Sequence, residues 1–189
     1  VPLSRKLIRV AWMAILLGAV MEVLVLAAGG TVRSVVRDAV PKIAWSSIVC
    51  FGVALGAAAA KKRAAAMSIA GFFSAPAAFA TARVLQKSLS FAGSNAASAG
   101  AGVVVLLALI KAAEYAGFGL VTGWLSDESV EHAPAYLTAG ALTGLYFGGL
   151  IVAASAADGV KLLPLAVNEM IFPVGCAVVL YASRLLARA

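Results

Sequence analysis

Long apolar runs separated by short charged connections dominate this chain. From Val10 to Val32 the only charge is Glu22, and none falls from Ile43 to Ala60, from Ala64 to Ala82 or from Ala133 to Ala157. The run from Ala99 to Leu125 is broken only by Lys111 and Glu114, and that from Leu162 to Ser183 only by Glu169. A helix rises 1.5 Å per residue, so about 20 residues cross a hydrocarbon core. The runs therefore predict six transmembrane helices. Their long Ala, Leu, Val and Gly stretches lack the short two-residue alternation of a membrane barrel.

The runs also repeat. Glu22 lies inside the first and Glu114 inside the fourth; Pro41 follows Glu22 by 19 positions and Pro134 follows Glu114 by 20. The third and sixth runs carry interior prolines, Pro76 and Pro173, and end in related basic tails, Phe79 to Lys87 and Tyr181 to Arg188. Residues of about 1–90 and 98–189 read as two repeats of one transmembrane domain spanning 1–189, joined by a connection rich in Ser, Ala and Gly. Three spans per repeat force the halves into opposite orientations. The expected fold is an all-α polytopic integral membrane protein with six transmembrane helices in a 3+3 inverted repeat, the plan of many channels and secondary transporters.

Composition agrees. The chain is 63% hydrophobic and 12% charged, with a mean hydropathy of +1.01, whereas about a quarter of a soluble domain is charged. Little sequence lies outside the runs, which leaves no room for a soluble catalytic domain. The net charge of +7 reflects Lys and Arg at run ends, where they meet lipid headgroups; it implies membrane lipids as partners and needs no nucleic acid. Eight Lys and Arg fall on one side of the six-span plan and six on the other. That bias puts both termini in the cytoplasm, in a plasma (inner) membrane. The first run follows Arg5, Lys6 and Arg9 as a signal sequence would, but it lacks a clean small-residue cleavage pattern and contains Glu22, so it is read as a retained span. With Val at position 1, a trimmed native start stays open. Trp12, Trp45 and Trp124 fall near run ends and read as interfacial anchors.

Three carboxylates interrupt the runs. An acidic residue at a helix centre costs about 2.5 to 3.5 kcal/mol, so such groups turn toward the bundle interior or water. Glu22 and Glu114 occupy corresponding places in the two halves and are expected to form a central pair that binds a cation or shares a proton. Lys111 stands three residues before Glu114, on the same helical face, as a counter-charge or a gate. Pro173 frees the carbonyl four residues back, that of Glu169, so this carbonyl, the Glu169 carboxylate and the Asn168 amide form a second oxygen-rich spot. Pro76 does the same for the Phe72 carbonyl, and Pro76 and Pro173 are the expected helix breaks.

Small residues recur every fourth position at Gly52, Gly56 and Ala60 and at Gly140, Gly144 and Gly148. They predict close-packed seams, either within the chain or in a homodimer or larger oligomer. Cys50 and Cys176 sit in apolar runs as small hydrophobes, and His132 lies in an acidic loop; no spacing suits a metal or cofactor. No phosphate-binding loop, nucleophile with its base, or aspartyl dyad at depth is present, so no catalytic residue and no enzyme activity is expected. The expected function is a small channel or secondary transporter for a small cation or proton-coupled solute. An accessory subunit docking on a larger membrane complex is the alternative, distinguished by glycine seams left open to lipid and by the lack of a polar cavity reaching the midplane.

Overall fold

Each apolar run folds as helix, because only helices satisfy every backbone N–H and C=O within one segment when lipid surrounds it. The computed structural model describes residues 3–30, 35–89, 101–156 and 161–186. The connection at 90–100, Arg33, Asp158 and Arg188 lie outside the described residues. Among those described, every regular element is helical: α1 (Leu3–Ala27), α2 (Val35–Ala59), α3 (Arg63–Leu89), α4 (Ala101–Asp127), then α5 (Ala133–Thr143), a π-helical turn (Gly144–Gly148) and α6 (Gly149–Ser155) in one line, and α7 (Leu162–Leu185). These make six spans long and apolar enough to cross a membrane. Large apolar side chains such as Val23, Phe73, Val84 and Leu142 are exposed on the outside. An outer surface of this kind belongs in lipid, and the chain is an integral membrane protein.

The spans close a ring, with α1 on α2, α2 on α3, α3 on α4, α4 on α5, α5 on α7 and α7 on α1. Backbone approaches set these contacts. A Cβ added to Gly71 would lie 2.1 Å from the Tyr115 carbonyl oxygen, and one on Gly119 2.3 Å from that of Met67, so α3 and α4 touch main chain to main chain. Gly52 and Gly56 lie against α3, at Ser74 and Ala66, while Gly140, Gly144 and Gly148 lie against the α7 backbone at Pro173, Met170 and Glu169.

Helix ends are satisfied locally and across the bundle. Gly29, at φ +88, ends α1 with bonds from Gly29 N to Leu26 O and from Gly30 N to Val25 O, both 3.0 Å, the left-handed cap that glycine adopts at no steric cost. The Asp127 carboxylate, at the end of α4, accepts the free N–H groups of Arg63 and Ala64 at 3.1 Å each and so caps α3. The start of α3 and the end of α4 therefore share one end of the bundle.

The prolines correct one expectation. α3 and α7 run unbroken through Pro76 and Pro173, since losing one i to i−4 bond leaves the bonds on either side intact. The irregularity falls in the fifth span, where the π turn lies against Met170 and Glu169 of α7. The two landmark prolines also differ: Pro41 is inside α2, whereas Pro134 occupies the first turn of α5.

Candidate functional site: a charged cavity reaching the middle of the bundle

A cavity of about 670 Å³ enters the bundle from the end where α1 and α3 finish and α2 and α7 begin. Gly30, Asp38, Gln86 and Lys161 lie at its mouth, and Lys111, Tyr115 and Phe172 at its inner end. Lys111 is ten residues into α4, about 15 Å of rise and so close to the midplane of a bilayer.

Two ion-paired clusters lie along the cavity. Nearer the mouth, Lys42 Nζ of α2 donates to Glu22 Oε2 of α1 at 2.5 Å, and Glu22 is only 3% exposed. Deeper in, Lys111 Nζ donates to Glu114 Oε2 at 2.7 Å and lies 2.6 Å from Glu169 Oε2 on α7. The Asn168 amide donates to the other Glu169 oxygen at 2.9 Å. Lys111 is therefore shared by two carboxylates. With each group in its ordinary form, this triad holds one positive and two negative charges.

The wall beside the triad is aromatic. Lys111 Nζ sits 5.7 Å from the Trp45 ring centroid, within cation–π range. Trp45 meets Phe79, Tyr115 and Phe172 edge-on at 6.4, 6.0 and 6.4 Å. The Tyr115 hydroxyl and Glu114 Oε1 are fully buried without a hydrogen-bond partner. Below this layer Cys50 and Cys176 face each other as free thiols, 3.3 Å between sulfurs. A group of three His, Cys, Asp or Glu able to hold a metal is absent among the described residues.

The far end of the bundle is latched. Arg184 of α7 donates to the Val130 and Ser126 carbonyls at 3.2 and 3.3 Å and to the Tyr136 hydroxyl, which also meets Ser126 Oγ at 3.1 Å. Tyr181 donates to Glu131 O at 2.7 Å, and Arg9 donates to Leu186 O. A recess of about 160 Å³ lies there, lined in part by Arg63, Ser126 and Leu180.

The expected site residues are thus partly gathered and partly regrouped. Lys111, Asn168 and Glu169 line the cavity with Glu22, and Glu114 stands immediately behind Lys111. Glu22 and Glu114 do not form a pair: Glu22 is five residues from the end of α1, about 7 Å of rise and near the mouth, and each carboxylate binds a different lysine. The second oxygen-rich spot is also changed. The Glu169 carbonyl lies against Gly148, 2.7 Å from where a Cβ would be, and both carboxylate oxygens already have neighbours. Trp45 is no interfacial anchor; it is the half-buried centre of the aromatic wall. Lys42, one position before the uncharged run that starts at Ile43, is the partner of Glu22. Its signal was its place five residues into the span that begins at Arg37.

The fold and cavity define a class: an all-helical, six-span integral membrane protein with ionisable groups at mid-depth. Compared with known protein families, curated proteins and solved structures, the chain matches none.

Proposed function

We propose that the protein carries a small cation or a proton-coupled solute across the membrane. One observation carries this reading: a one-ended polar cavity leads to a buried triad of Lys111, Glu114 and Glu169 at mid-depth. In low dielectric a triad one positive charge short is costly. A proton on one carboxyl group or an incoming cation supplies that charge, and exchange of one for the other is the coupling step. Lys111 then acts as a movable counter-ion that yields a carboxylate to the cation. The aromatic layer and the latched far end close the path beneath the cavity, which favours a carrier over an open pore.

The accessory-subunit reading has less support. The glycine seams it would leave open to lipid are covered within the chain at Gly52, Gly56, Gly140, Gly144 and Gly148. We propose a 3+3 inverted repeat on the matched landmarks of the two halves, Glu22 with Glu114 and Pro76 with Pro173. We place both termini in the cytoplasm of a plasma membrane on the Lys/Arg bias, so the cavity opens outward.

Flux in proteoliposomes with an internal pH dye tests the function. Under an imposed gradient and a panel of cations, wild type is expected to move protons or cations, and Glu114→Gln/Glu169→Gln to abolish the movement while the protein stays folded. Equal flux from wild type and variant would remove the carboxylates from the path. Lys111→Gln is expected to alter the pH dependence of flux; an unchanged profile would end the counter-ion role.

A further inference from the structure

Resting on the transport reading above, we infer that the transported solute is a zwitterion with separated charges, an amino-acid-like molecule whose ammonium group lies at the triad and whose carboxylate lies at the mouth. The cavity is polarised along its length. Its inner end sets two carboxyl groups, Glu114 and Glu169, against the single amino group of Lys111. Its mouth carries Arg83 and Lys161, for which no carboxylate within ion-pair distance is recorded among the described residues, beside the internally neutral Lys42–Glu22 pair and the single acid Asp38. Arg83 is turned over the Phe79 ring, 5.5 Å from its centroid, and Lys161 donates to the Gly29 carbonyl at 3.0 Å. Both cations are held at the rim, with donors to spare for an incoming carboxylate.

The space between suits a carbon chain. A volume of about 670 Å³ exceeds what a bare ion needs and falls in the range of small organic ligands, roughly 300–1,000 Å³. Trp45, Phe79 and Phe172 supply apolar wall along it. At the inner end Lys111 shows what the site accepts: its own primary ammonium rests between two carboxylates and the face of Trp45. A ligand ammonium that displaces Lys111 from one carboxylate takes up contacts of the same kind. A cation without an anionic end forgoes the rim; an anion without an ammonium offers the two inner carboxyl groups no donor.

Equilibrium binding to the full chain in lipid nanodiscs tests this without requiring flux. Trp12→Phe and Trp124→Phe remove the two exposed indoles, so Trp45 alone reports. The probes are ω-amino acids with two to six methylenes, with n-alkylamines and alkanoates of matching length. At one chain length the ω-amino acid is expected to shift Trp45 fluorescence at a concentration about tenfold or more below either single-charge analogue, the scale of one added charge-assisted contact. Arg83→Gln and Lys161→Gln, both at the rim, are expected to bring the amino acid's affinity toward that of the amine. An amine equal to the amino acid at every length would overturn the proposal, leaving the rim cations as lipid-headgroup anchors. An alkanoate equal to the amino acid, or no response to any probe, would overturn it too. Preferential zwitterion binding without flux would instead count against transport alone, and proton or amine flux without the preference would count against the zwitterion alone.

Discussion

At the scale of single residues, the two ion pairs make different predictions because their members differ in access to water. Glu22 is 3% exposed, while the Lys42 side chain retains 20% and also has the Asp38 carbonyl at 3.4 Å. Lys42→Met leaves the buried acid without its counter-charge and is expected to lower stability by about 1–3 kcal/mol. Glu22→Gln is expected to cost less, since the lysine can turn to cavity water. Unfolding in mild detergent measures both, and the reverse order would show that Lys42 is not the stabilising partner. Lys111→Gln strands two carboxylates and is expected to be worse than Lys42→Met; adding Glu114→Gln should recover part of the loss, as members of one network do not act additively. The sequence exposed the Lys111–Glu114 pair because a separation of three residues fixes a shared helical face before any tertiary structure is known. It could not expose Lys42–Glu22 or Lys111–Glu169, whose members come from different helices and meet only through packing. Symmetry between the halves pointed to Glu22 with Glu114, but depth along the helix decides what meets, and these two sit at different depths.

At the scale of elements, length and hydropathy made the six spans legible, and the interruptions were not. A helix in lipid has no alternative hydrogen-bond partners, so Pro76 and Pro173 remain within continuous α3 and α7. The Gly144–Gly148 turn instead widens to a π-helix where the α7 backbone crowds it: a Cβ on Gly144 would lie 2.0 Å from the Met170 carbonyl oxygen. Glycines in different surroundings therefore predict opposite results on substitution. Gly144→Ala and Gly71→Ala meet main-chain carbonyls that cannot swing aside, and each is expected to lose about 1–3 kcal/mol of stability. Gly117 has open space around its Cβ position, so Gly117→Ala is expected to gain up to about 1 kcal/mol from helix propensity. Thermal unfolding of the three variants in one detergent is the check; similar losses for all three would mean that main-chain approach does not govern these sites. Ser129 supplies a fourth case. It holds φ 55 at the end of α4, with Ser129 N bonded to Ser126 O at 3.4 Å and Val130 N to Leu125 O at 3.0 Å, the cap that Gly29 provides for α1. Ser129→Gly should raise stability slightly, because the left-handed conformation strains any residue with a Cβ.

At the scale of the whole molecule, the open cavity and the latch lie at opposite ends of the same bundle, and α7 belongs to both. Its first turns supply Asn168 and Glu169 to the cavity, and its last turns supply Tyr181 and Arg184 to the latch. A tilt of α7 that parts Arg184 from Ser126, Val130 and Tyr136 would open the recess near Leu180 and move Glu169 relative to Lys111, so opening one end and rearranging the other become one motion. Cysteine accessibility separates this motion from local loosening. In a Cys50→Ala/Cys176→Ala background, Leu165→Cys, which lines the cavity, is expected to react with a membrane-impermeant thiol reagent from the Gly29 side only. Leu180→Cys is expected to be protected, since Leu180 is buried in the closed end. Arg184→Gln removes the latch donors, and it should raise the rate at Leu180→Cys from the Arg63 side about tenfold, the scale of a lost charged hydrogen bond. The rate at Leu165→Cys should fall in the same variant, because a two-state bundle that opens at one end closes at the other. Faster labelling at both positions would identify Arg184 as a local staple, and unchanged labelling would show that the latch does not hold the bundle in the form described here. Only the opposed changes join the two ends into one alternating device, and they do so without any knowledge of the solute.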